Sequence, residues 1–199
     1  MELPECRSQG DLSQEAQRVV SLRCCLQGFS ERFNVRFLRC VGLTAGILLL
    51  GTFSSSAVTL EQLRQDANLT PDRLIGYFRD FKFKLGEKIQ SPEIFLAAQS
   101  GDCDDFASLA AEVLRERKYT TRLIAVFMDG QTHVICYVEE VKGFLDYNRR
   151  QDRMGIQSTN GDLEDMADKV AAFFRLPWRC VGEFTYQAGD RRIGRIVFR

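Results

Sequence analysis

The stretch that most constrains this chain is Ser100-Gly101-Asp102-Cys103-Asp104-Asp105-Phe106-Ala107, together with the apolar positions that follow it. Apolar residues recur at Phe106, Leu109, Ala110, Val113 and Leu114, the spacing of a helix with one buried face. Asp104 and Asp105 stand in its first turn, and Arg115, Arg117 and Lys118 crowd its end. Each sign lies where the helix dipole favours it. Gly101 lets the backbone turn sharply just ahead. Cys103 therefore sits at the mouth of a helix, where unpaired N–H groups and the dipole favour a thiolate. The flanking carboxylates oppose this, because nearby negative charge raises a thiol pKa. A cysteine so placed is a candidate nucleophile, and the alternative is a small buried hydrophobe.

The bulk numbers exclude several other chemistries. Lys plus Arg and Asp plus Glu each number 27, so the formal net charge is zero and nothing draws nucleic acid as a general partner. The chain has seven cysteines, but no Cys-x-x-Cys pair, and His133 is its only histidine. A zinc site built on paired ligands is excluded on that count. A length of 199 residues with 45% hydrophobic content suits one globular domain with extra sequence, large enough to fold without staples.

The extra sequence lies first. Residues 1–34 are a polar extension with no assigned fold. Arg32, Arg36 and Arg39 then flank the apolar run from Val41 to Phe53, and Ser54 to Ala57 follow it. A basic flank, a short apolar run and a small-residue exit describe a signal peptide over 35–57, with cleavage after Ala57. An uncleaved membrane anchor is one alternative, although the run is shorter than the ~20 residues a spanning helix needs, and a buried core helix is the other. Some thirty residues ahead of the run are atypical of a signal peptide, so the expected initiator is later, with Val35 as the candidate. The expectation is an exported protein, periplasmic or extracellular, touching a membrane only through residues 41–53.

The domain at 58–199 reads as helices followed by strands. Thr70-Pro71 and Ser91-Pro92 are helix starts. The first predicts a helix carrying Leu74, Ile75, Phe78 and Phe81 and ending near Gly86; the second, a short helix to Gln99. Arg122 to Met128 and Gln131 to Glu139 read as strands around an Asp129-Gly130 hairpin turn. His133, Ile135 and Tyr137 share one face of the second strand, and Val134, Cys136 and Val138 the other. Phe144 to Tyr147 is a further strand, Gln157 to Gly161 a polar loop, and Leu163 to Phe174 an amphipathic helix. Cys180 to Gln187 and Ile193 to Phe198 close the chain as a hairpin. This order argues an α+β fold with one helix packed on an antiparallel sheet. Cys136 and Cys180 are read either as a disulfide or as two buried thiols.

The chemistry converges on three positions. Asp146 lies thirteen residues beyond His133, directly across an antiparallel pair if the turn centres on Glu139-Glu140. A turn at Lys142-Gly143 would slide the two apart. A thiol, an imidazole and a carboxylate in sequence form a nucleophile, a base and an orienting group. The Cys103 N–H and Gln99 are the candidate oxyanion donors. Gln62, Arg64, Arg149 and Arg150 receive no role.

Gly101-Asp102-Cys103-Asp104-Asp105-Phe106-Ala107, then His133, then Phe144-Leu145-Asp146, resembles the transglutaminase-like superfamily of papain-fold cysteine enzymes. Ser91 to Leu96 is similar to the family as well. The resemblance covers about residues 90–150 and implies a Cys103, His133, Asp146 triad, a papain-like arrangement with the Cys-bearing helix packed on an antiparallel sheet, and no required cofactor. The implied activity is a cysteine peptidase or a glutamine acyl transferase acting on a protein or peptide, with a non-catalytic peptide-binding or envelope-binding module as the rival. A bacterial branch binds calcium through acids flanking the cysteine, which corresponds to Asp102 and Asp104; helix capping is their other reading. Two positions depart from the family pattern. Val134-Ile135 stands where Ala-Trp is common, and Tyr147-Asn148 where a proline is common.

Overall fold

In the computed structural model each described α-helix follows a residue of a capping type. The structure describes residues 57–187 and 190–199; the polar extension and the apolar run read as signal or anchor lie outside them. Thr59 caps α1 (Leu60–Gln65), Thr70 caps α2 (Pro71–Gly76), Ser91 caps α3 (Pro92–Ala98) and Asp102 caps α4 (Cys103–Glu116). Two-residue strands β1 (Lys82–Phe83) and β2 (Ser100–Gly101) pair in parallel just ahead of α4.

Strands β3 (Thr121–Met128) and β4 (Gln131–Val138) meet at the Asp129-Gly130 turn, where Gly130 adopts φ 78°, a left-handed conformation that glycine takes without strain. β5 (Gly143–Leu145), β6 (Ile156–Ser158), α5 (Leu163–Phe174), β7 (Trp178–Gln187) and β8 (Asp190–Phe198) follow. They form a six-stranded sheet in the order β6-β5-β4-β3-β7-β8, with every neighbouring pair antiparallel. The fold is α+β. No helix among the described residues is long and apolar enough to cross a membrane.

Alternation along the central strands builds two cores. Leu123 and Ala125 of β3, with Val134, Cys136 and Val138 of β4, face α4 and the N-terminal helices. Ile124, Val126, Ile135 and Tyr137 face Leu163, Met166, Ala167 and Val170 of α5. A strand buried on both faces reads as continuous apolar sequence, which is what β3 shows.

Several expectations need correction. The sheet carries a helix on each face rather than one helix alone. The helix begun at Pro71 stops at Gly76. Phe78 and Phe81 still reach the core, because successive turns (Phe78 N–H to Ile75 O and Phe81 N–H to Phe78 O, each 3.1 Å) bring every third residue to the same side. Ile156 to Ser158 is an edge strand where a loop was expected to begin, and β5 ends at Leu145, with Tyr147 in a 3-10 turn. Cys136 is a buried thiol on β4, and β3 separates it from Cys180 on β7, so the two do not bridge.

Candidate active site

Asp102 and Asp105 set the start of α4. The Asp102 Oδ1 accepts from the N–H groups of Asp104 (3.1 Å) and Asp105 (3.4 Å), and the Asp102 N–H donates to Asp105 Oδ2 (3.0 Å). These bonds take up three of the four N–H groups that a helix start leaves unpaired. The fourth belongs to Cys103, and no acceptor meets it among the described residues. A donor left open beside the sulfur is what an oxyanion requires. Asp105 is held in turn by Gln90, whose backbone and side-chain N–H groups reach its two oxygens at 2.6 and 2.8 Å.

The register decides how His133 meets its partners. Cys136 pairs with Leu145, Tyr137 with Phe144 and Val138 with Gly143. The turn therefore centres on Glu140-Val141, and Asp146 lies diagonal to His133 instead of directly opposite. A diagonal neighbour remains within reach of long side chains, and the His133 Nε2 donates to Asp146 Oδ1 at 2.8 Å. The same oxygen accepts from the Asn148 N–H at 2.9 Å. Both side chains are almost fully buried, 4% and 0% exposed. With Nε2 committed to the carboxylate, Nδ1 is the nitrogen left for sulfur, and the two groups act on each other, the ring lowering the thiol pKa and the sulfur raising that of the ring.

Strand alternation puts His133 on the α5 face, where Phe174 packs edge-on against its ring at 4.8 Å. Cys103 belongs to the opposite core. Because β5 stops at Leu145, the start of β4, where His133 stands, pairs with no strand on that side among the described residues.

Electrostatics bind the three groups together. Burial pushes the His133 imidazole down, but the Asp146 carboxylate and the Cys103 sulfur overcome it and hold the ring well above its ordinary value. Burial pushes the Cys103 thiol up, the imidazole pulls it down, and Asp104 and Asp102 add to the upward push. Burial likewise raises Asp102 to about 6, against the hydrogen bond from the Gly86 N–H at 3.0 Å.

The remaining candidates are placed as follows. Gln99 ends α3 in a left-handed conformation at φ 47°, and its backbone oxygen accepts from the Lys82 N–H at 2.9 Å. No hydrogen bond ties its side chain to the triad among the described residues. The Asp102 oxygens are engaged by backbone N–H groups, which is the capping role, and Asp104 Oδ1 lies 4.0 Å from the Cys103 sulfur. Among the described residues no three ligating side chains gather around a cation site. Phe174 was missed from sequence because it reads as the last apolar position of an amphipathic helix. The chain matches no protein-family model, no curated protein and no solved structure.

Proposed function

We propose that this chain is an exported cysteine-dependent amide hydrolase of the transglutaminase-like, papain-like kind, acting on a protein or peptide. The observation that carries the reading is the buried His133–Asp146 hydrogen bond at 2.8 Å together with an imidazole that acts directly on the Cys103 thiol. The residue order and motif resemblance around Gly101-Asp102-Cys103 support the same family. In this reading the imidazole takes the thiol proton and the thiolate attacks the amide carbon. The Cys103 N–H donates to the oxygen that becomes negative. The imidazolium then protonates the departing amine, leaving a thioester on Cys103. Water, deprotonated by the same imidazole, attacks the thioester and releases the carboxylic acid and the thiol. An amine in place of water gives acyl transfer by the same first half-reaction. Asp146 keeps the ring in one tautomer and stabilises its cation.

A thiol-directed acylating probe tests this on the full chain. Wild type is expected to label at Cys103, and Cys103→Ala to lose that label. His133→Ala is expected to label about 100-fold more slowly at neutral pH, with the onset of alkylation moved to higher pH because burial remains and the imidazolium is gone. Equal labelling of wild type and His133→Ala would leave a binding module on the same fold.

A further inference from the structure

The sulfur and the imidazole stand on different elements, α4 and β4, so they act on each other only if helix and sheet keep one spacing there. The residues after Asp146 span this gap. Tyr147 is fully buried, and its ring stacks on Phe106 of α4 with centroids 5.5 Å apart, one helical turn beyond Cys103. The same ring meets Phe95 of α3 edge-on at 5.9 Å, and its hydroxyl donates to the Lys82 carbonyl at 3.0 Å. Arg150 lies over the Tyr147 ring at 4.2 Å. Its Nη1 donates to the Tyr147 carbonyl at 2.8 Å and its Nε to the Phe81 carbonyl at 3.0 Å, with Nη2 on the same oxygen.

These contacts close a circuit. Phe81 leads directly into β1, which pairs Lys82 with Ser100 and Phe83 with Gly101, the two residues that deliver the chain to Asp102 and Cys103. Tyr147 follows Asp146, which holds His133. We propose that Arg150, acting with Tyr147, is a positioning residue that locks the turn bearing Asp146 to the β1–β2 pair and so sets the distance from the imidazole to the Cys103 sulfur. The planar fork suits this task, since one guanidinium satisfies two carbonyls in fixed directions while covering an aromatic face. The inference rests on reading the site as a Cys-His-Asp triad.

His133 is the only histidine in the chain, so its ring resonances give an NMR titration of one group in the intact protein. The charged groups acting on it are Asp146 and the Cys103 sulfur, with Arg150 acting on Asp146. Arg150→Ala is expected to lower the His133 midpoint by about one unit or more, as the ring loses its close anionic neighbours. Arg150→Lys should fall between, since it keeps the charge but not the fork. Through-space charge alone predicts the reverse, because removing a cation raises an imidazole midpoint. A merely structural role lowers the melting temperature and leaves the midpoint in place. A folded Arg150→Ala with an unmoved or raised midpoint overturns the proposal. If that variant does not fold, the lysine variant is read the same way. The enzyme reading fails separately: a chain that resists the acylating probe while its His133 midpoint drops in Arg150→Ala keeps the positioning role and loses the activity.

Discussion

At the scale of single residues, Asp102 has two effects that a substitution can separate. It is 7% exposed and caps α4, and burial holds it up at about 6. The unfolded chain carries this carboxyl near its ordinary 3.8. Between these values the folded state binds the proton that the unfolded state has lost, so lowering the pH favours folding. This contribution is fully present below the unfolded value and is lost as pH rises through about 6. Asn caps a helix as well as Asp but does not titrate. Wild type should therefore gain melting temperature relative to Asp102→Asn between about pH 7.5 and pH 4.5. The Asp102 charge also raises the Cys103 thiol. The same variant should begin to alkylate at Cys103 at lower pH than wild type. A relative stability that does not change across that range, or an alkylation onset that does not move, contradicts the assignment.

At the scale of elements, α4 depends on a glycine just before its cap. A Cβ at Gly101 would lie 2.4 Å from Asp105 Oδ2, 2.7 Å from a Phe95 ring carbon and 2.8 Å from Gln90 Nε2. The first and third of these atoms belong to the network that caps the helix, and the second is core. Gly101→Ala is expected to cost about 1–3 kcal/mol by overpacking, read as a lower urea midpoint, with slower Cys103 alkylation because the cap moves with it. A midpoint within error of wild type would show that Asp105 and Gln90 yield freely. Helix starts were legible in the sequence because capping is local: Thr70, Ser91 and Asp102 each carry their signal within a few residues. The end of α2 was not, since Phe78 and Phe81 repeat at a spacing that a helix and a chain of turns share. β6 was hidden because three residues with a polar centre, Ile156-Gln157-Ser158, carry too little alternation to mark a strand. The Cys103, His133 and Asp146 residue types were legible, and their meeting was not. It depended on whether the β4–β5 turn centres one residue earlier or later, and on β5 ending at Leu145.

At the scale of the whole described fold, both cores share β3 and β4, so loss of either helix layer uncovers one face of the strands on which the other layer packs. Cys136 and Trp178 report the two faces independently. Cys136 lies under α4 on β4 with no exposure, and burial pushes its thiol up to about 12, against the pull of Arg115. Trp178, the only tryptophan, is buried against α5, and its indole N–H donates to Asp168 at 2.7 Å. Cys103 is half-buried. Pulse alkylation across a urea gradient should therefore label Cys103 in the native state and Cys136 only within the unfolding transition. That transition should coincide with the loss of native Trp178 fluorescence, as expected when a shared sheet makes the two layers one cooperative unit. Labelling of Cys136 at a lower urea concentration than the Trp178 change would mean that α4 lifts from the sheet first. The helix carrying Cys103 would then be the less stable layer, and the Tyr147 and Arg150 contacts too weak to hold it against the strand bearing His133.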